Sequence, residues 1–164
     1  AKRKQMHENT LKCLQLGANV IEVPFGYLSV VTKRANDYCI ENGAKKLEFG
    51  ANTIENKILI GNRVREVIKQ LGKEPEEIWC AIGSGTLVDS ILMATDQAKI
   101  YGVEVGAKYA GSHERLTVLK YPLTFDKSSK FKAAFPSMPN YDLKAFELCV
   151  KNKQSNDVLF WNVL

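Results

Sequence analysis

Ile78-Trp79-Cys80-Ala81-Ile82 is a run of apolar residues with no polar alternation. A strand with one wet face alternates, so this run predicts a central parallel strand covered on both sides. Such a strand requires helices before and after it, and the flanking sequence supplies them. Residues 5–16 read as a helix that stops at Gly17, and Val20-Ile21-Glu22-Val23 as a short strand stopped by Pro24. Leu28, Val31, Ala35 and Tyr38 repeat at helical spacing up to Gly43, and Lys46-Leu47-Glu48-Phe49 reads as a weaker strand. Ile60, Val64, Val67, Ile68 and Leu71 mark a long helix ending at Gly72. Beyond the apolar run come a helix carrying Leu87, Ile91 and Ala94 and a strand over Lys99–Val105. The stretch 106–140 has loop composition apart from a strand at Leu116–Leu119, and is long enough for a lid or binding loop. Asn140 or Asp142 is expected to cap a helix containing Leu143, Phe146 and Val150, and Val158–Val163 reads as a closing strand. This alternation predicts a three-layer α/β/α fold with a mostly parallel sheet. At 164 residues it is expected to form one α/β domain over 1–164, with 1–50 as a small lobe at most.

Composition removes several functional classes. Hydrophobic residues make up 45% of the chain, enough for an ordinary core. No apolar run approaches the roughly 20 residues that span a bilayer, so no membrane partner is expected. The charged start Ala1-Lys2-Arg3-Lys4-Gln5 has no apolar stretch behind it, which argues against a signal peptide. Cys13, Cys39, Cys80 and Cys149 form no CxxC pair and read as reduced, mostly buried thiols of a cytoplasmic protein. His7 and His113 lie far apart, so no metal site is expected. The net charge is +5, and the window from Lys108 to Lys132 alone holds six basic residues against two acidic ones. That window is either a solvated loop or a basic rim around an anionic ligand.

The strongest local chemistry is at Gly83-Ser84-Gly85-Thr86, where the buried strand runs into a helix. A helix's first turn offers free N–H groups and a partial positive charge. Glycines admit a phosphate close to the backbone, and Ser84 and Thr86 add hydroxyls. Spacing alone leaves open a tight turn in which Ser84 or Thr86 is a simple cap. No lysine follows as in a Walker loop, and Val88 stands where GxGxxG needs its third glycine.

Three groups of segments carry a resemblance. Asn9-Thr10-Leu11 through Gly17-Ala18-Asn19-Val20-Ile21-Glu22-Val23 is the first, and Ile78–Thr86 with Lys99–Glu104 is the second. Asn140-Tyr141-Asp142-Leu143-Lys144-Ala145-Phe146 with Val158–Val163 is the third. In order and approximate spacing they resemble the fold type II pyridoxal-phosphate enzymes, in the branch of D-cysteine desulfhydrase and 1-aminocyclopropane-1-carboxylate deaminase. The resemblance implies that Gly83, Ser84, Gly85 and Thr86 hold the phosphate of pyridoxal phosphate, and that Asn162 stands beside its ring.

The departures are as informative. Members of that family are about twice as long. Their front half carries the lysine that bonds the cofactor and the Ser-Asn loop that holds the substrate carboxylate, and neither has an equivalent before Lys12. One glycine of the phosphate turn is missing, and Trp161-Asn162 replaces the family's His-Thr. Lys120, in apolar context, and Lys144, on the last helix, are the lysines that could substitute. Glu104, near a strand's C-terminal end, and His113, in the loop, are acid–base candidates. Tyr141 and Trp161 read as packing residues. The resulting expectation is a truncated relative that binds a phosphorylated small molecule, without cofactor chemistry of its own. A homo-oligomer or a second polypeptide would supply the missing half. The alternative is a non-enzymatic module whose basic loop contacts nucleic acid or an acidic protein. A phosphoribosyl- or nucleotidyl-transferring enzyme would share the turn but needs a paired-acid motif that is not seen here.

Overall fold

The structure is a computed structural model that describes residues 6, 8–24, 27–106 and 108–163. His7 and the Gln5 start of the expected first helix lie outside these residues. The chain divides into two compact units, Ala1–Lys46 and Leu47–Leu164.

The first unit contains α1 (Glu8–Gln15) and α2 (Leu28–Asn42). α1 stops as its sequence predicts: the Gly17 N–H donates to the Leu14 carbonyl and the Ala18 N–H to that of Cys13, both at 3.0 Å. Val20–Val23 is coil, not the expected strand. A β-branched run becomes a strand only beside a partner, and no strand is described in this unit. None of the α2 residues is buried.

In the second unit the strand expected over Lys46–Phe49 is also missing. The chain instead enters a 3-10 turn at Phe49–Ala51, where Gly50 and Ala51 have φ of 65° and 49°. Left-handed residues turn the backbone out of strand geometry. α3 (Ile54–Leu71) follows, capped by the Thr53 hydroxyl, which accepts from the Asn56 N–H at 3.3 Å. Then come β1 (Glu77–Ile82), α4 (Thr86–Ala94), β2 (Lys99–Glu104), β3 (Leu116–Lys120), α5 (Asp142–Asn152) and β4 (Val158–Trp161). The sheet order is β3-β2-β1-β4, and every pairing is parallel. Every β1 residue is buried, as its unbroken apolar run requires.

Alternate β1 side chains enter two cores. On one face Ile78, Cys80 and Ile82 pack with Val64 of α3 and Val88 and Ile91 of α4. On the other, Trp79 and Ala81 pack with Val103, Tyr121, and Ala145 and Cys149 of α5. The unit is therefore a three-layer α/β/α sandwich. α3 and α4 meet at Gly61, where a Cβ would lie 3.4 Å from the Ser90 carbonyl. α5 starts without the expected side-chain cap: Tyr141 holds the cap position with no side-chain bond, and Asp142 is the first helical residue. Cys80 and Cys149 are buried, but Cys39 is only half-buried and Cys13 is exposed.

This topology decides where a ligand can bind. β1 leads through α4 to β2 on one side, whereas β4 arrives from α5 on the other face. The connections diverge between β1 and β4, and a crevice opens at the C-terminal ends of those strands.

Candidate functional site

A cleft of about 290 Å³ lies at that switch point, lined by Gly83, Ser84, Gly85 and Thr86 after β1, by Tyr141 and Val163, and by Gly50. Gly85 is the residue before α4 and has φ of 91°, a conformation that glycine adopts without penalty. Among the described residues neither the Ser84 nor the Gly85 backbone N–H has a hydrogen-bond partner. The two hydroxyls are engaged. Thr86 Oγ1 donates to the Gly50 carbonyl at 2.9 Å, and Ser84 Oγ lies 2.9 Å from Thr86 Oγ1. With the Thr86 proton committed to Gly50, Ser84 is the donor of that pair, and its oxygen accepts from the Thr86 N–H at 3.4 Å.

The glycines have structural reasons of their own. A Cβ at Gly83 would lie 2.6 Å from the Tyr141 hydroxyl, and one at Gly85 2.6 Å from Cε2 of Tyr109. A Cβ at Gly50 would fall 2.1 Å from Ser84 Oγ. Substituting Gly85 therefore strains φ and collides with Tyr109 before any ligand is involved. Burial, then Asp142 and Cys80, push the Tyr141 hydroxyl up to about 12. Tyr141 is thus both a packing residue and part of the cleft wall.

The sheet gathers most of the sequence candidates at this end and separates others. Asn162, just past β4, is half-buried; its Oδ1 accepts from the Ser137 hydroxyl and its Nδ2 donates to the Pro136 carbonyl, both at 3.0 Å. Glu104 ends β2, but its Oε1 accepts from the Tyr109 N–H at 2.7 Å and so pins the following loop. Lys120 ends β3 and is exposed. It stands two strands from β1, about 10 Å at ordinary strand spacing. His113 is exposed and precedes β3, so the parallel sheet puts it at the end opposite the cleft.

Lys144 is fully buried on α5. Its Nζ donates to the Thr124 carbonyl at 2.8 Å and lies 5.3 and 5.9 Å from the ring centres of Tyr121 and Phe125. Burial holds its pKa below the usual lysine value, against a smaller opposing effect of Asp126. Lys144 thus ties down the 121–125 stretch and does not line the cleft. Arg115 leaves the basic rim as well. Its guanidinium donates to the carbonyls of Leu92, Thr95 and Ala98 at 2.7–3.1 Å and so satisfies the C-terminal end of α4. The other five cations of the window, Lys108, Lys120, Lys127, Lys130 and Lys132, are exposed.

Sequence reasoning missed Gly50, Tyr109, Lys57 and Asp89. The Tyr109 hydroxyl donates to Asp89 Oδ1, and Asp89 Oδ2 accepts from Lys57 Nζ at 2.7 Å. No local pattern marks these residues, because each acts across 20 or more positions. Among the described residues, no three His, Cys, Asp or Glu side chains come together to hold a metal, and no helix is long and apolar enough to cross a membrane.

A solved structure described as that of an ACC deaminase homologue shares this fold. It superposes with a TM-score of 0.77 at 16% identity, over 93% of this chain and 60% of that one. The chain therefore spans 60% of the length of the structure it matches, and the resemblance read from the sequence holds at the level of the fold. No protein-family model and no curated protein sequence matches it.

Proposed function

We propose that the chain binds a phosphorylated small molecule at the Gly83–Thr86 turn, with pyridoxal phosphate the first candidate. The unpaired N–H groups of Ser84 and Gly85, at the start of α4 and in the wall of the switch-point cleft, carry this reading. A phosphate would accept from both and meet the positive end of the helix. The cleft, about 290 Å³, stands at the lower end of the roughly 300–1,000 Å³ usual for small-molecule sites. The chain thus fits the phosphate handle of the cofactor, and its shared fold with a protein described as an ACC deaminase homologue supports the choice.

Pyridoxal phosphate, when bound, supplies an electron sink for amino-acid chemistry. This chain's residues would grip the phosphate through Ser84 and Gly85 and wall the site with Tyr141. They do not supply a covalent anchor: among the described residues no lysine lines the cleft. Lyase or deaminase turnover would then require a lysine from a further segment, a second copy or a second polypeptide.

A titration of the ¹⁵N-labelled chain with inorganic phosphate and then pyridoxal phosphate tests this. The Ser84 and Gly85 amide resonances should move with both ligands. Borohydride followed by peptide mass spectrometry should fix no adduct on Lys120 or Lys144. Amides that stay still at millimolar ligand would remove the anion site.

A further inference from the structure

Tyr109 is held far more firmly than a half-buried loop tyrosine needs to be. Its ring lies against Gly85, where an added Cβ would meet Cε2 at 2.6 Å and Cδ2 at 2.9 Å. Its hydroxyl donates to Asp89 Oδ1 in the first turn of α4, and Lys57 in the first turn of α3 balances that carboxylate from 2.7 Å. Its backbone N–H donates to Glu104 at the end of β2. Gly111 closes over the hydroxyl, since a Cβ there would lie 2.2 Å from it. The phenol is thus held by α4 and enclosed by a loop glycine, the backbone of Tyr109 is held by β2, and α3 acts on it through Asp89.

That ring touches the one residue of the turn whose conformation is least self-determined. Glycine samples positive and negative φ about equally, so an unsupported Gly85 would spread over several conformations. The two N–H groups would then diverge, and a ligand would have to bear the cost of ordering them. We infer that Tyr109 is a positioning residue of the anion site: latched by Asp89 and Glu104, its ring clamps Gly85 in the left-handed conformation that leaves the Ser84 and Gly85 N–H groups unpaired for one oxyanion. The Lys57–Asp89 pair also keeps the latching carboxylate from repelling the anion. This inference rests on the anion-site reading above and adds to it a residue that does not itself touch the ligand.

The test uses the full ¹⁵N-labelled chain and inorganic phosphate, at a temperature where circular dichroism shows every variant folded. Tyr109→Ala is expected to weaken phosphate binding about tenfold. Tyr109→Phe keeps the ring on Gly85 and loses one hydrogen bond, so it should weaken binding by about threefold at most. A merely stabilising tyrosine would lower Tm in both variants without separating their affinities. If Tyr109→Ala does not fold, Tyr109→Leu, which keeps apolar bulk without a flat ring, takes its place with the same expectation. Wild-type amides at Ser84 and Gly85 that ignore phosphate would defeat the anion-site reading and this inference with it. Amides that respond equally in wild type and in the Ala or Leu variant would overturn the role of Tyr109 alone.

Discussion

Asp142 is 2% exposed, and its Oδ1 has no hydrogen-bond partner among the described residues. Burial raises its carboxyl above the ordinary 3.8, and the backbone N–H of Val163 only partly offsets this. A raised carboxyl pKa means that the folded state prefers the neutral acid. The stability it contributes is full below the ordinary value and is lost as pH rises through the folded one. Wild-type Tm should therefore carry a component that falls as pH rises above the ordinary carboxyl value of 3.8 and that Asp142→Asn lacks. Thermal melts of both proteins from that pH upward test this, and parallel curves would contradict it. Asp142 also affects the site, since its charge is among the causes that raise Tyr141 and Cys80.

At the scale of elements, the stretch after β3 is fastened to α5 and β4. Glu147 on α5 accepts from the Tyr121 hydroxyl at 2.6 Å, the Ser129 hydroxyl at 2.7 Å and Lys151 Nζ at 2.5 Å. Phe131 and Phe135 pack edge-on against Phe146 of α5, with ring centres 5.8 and 4.9 Å away, and Phe146 meets Phe160 of β4 at 5.0 Å. Lys151 first, then Tyr121, draw the Glu147 carboxyl down to about 2 from an ordinary 4.5. A depressed carboxylate contributes stability above its ordinary value and loses it as pH falls through the folded one. Acid should therefore loosen this fastening between 4.5 and about 2. Protection of the amides at residues 121–131, measured against their intrinsic exchange rates, should fall over that window in wild type. In Glu147→Gln protection should already be low at neutral pH and change little. Equal protection in the two proteins at pH 7 would show that the aromatic cluster suffices alone.

For the whole molecule the question is what the chain can do unaided. Its cleft offers two unpaired backbone N–H groups and an aromatic wall, but among the described residues no lysine lines it. Chemistry on an amino acid needs a covalent anchor and a grip on the substrate carboxylate, and a single misplaced lysine would supply only the first. The isolated chain is therefore expected not to break down D-cysteine or a related amino acid, assayed with added pyridoxal phosphate. Turnover abolished by Lys120→Ala or Lys144→Ala would overturn this. Turnover only after a second polypeptide is added would identify the chain as one half of a split enzyme.

Sequence alone determined the central layer of the second unit. The unbroken apolar run became a fully buried β1, and helical spacing with a closing glycine located the C-terminal end of α3. Local signals suffice there, because burial on two faces and helix capping are written in neighbouring residues. The strand-to-helix turn was legible for the same reason. Tertiary structure decided the rest. Val20–Val23 and Lys46–Phe49 have strand-like composition, yet a strand exists only within a ladder, and among the described residues neither segment belongs to one. His113 and Glu104 looked equivalent as acid–base candidates until the parallel sheet put them at opposite ends. Lys144 was read as a candidate anchor, and its burial under Tyr121 and Phe125 came from contacts 23 and 19 positions away. Gly50 and Tyr109, which hold the two sides of the Gly83–Thr86 turn, are joined to it only by the folding of α3 and β2 around β1. Hydrogen bonds and ring contacts between segments so far apart in the chain leave no periodic trace in it, so only the folded arrangement could show them.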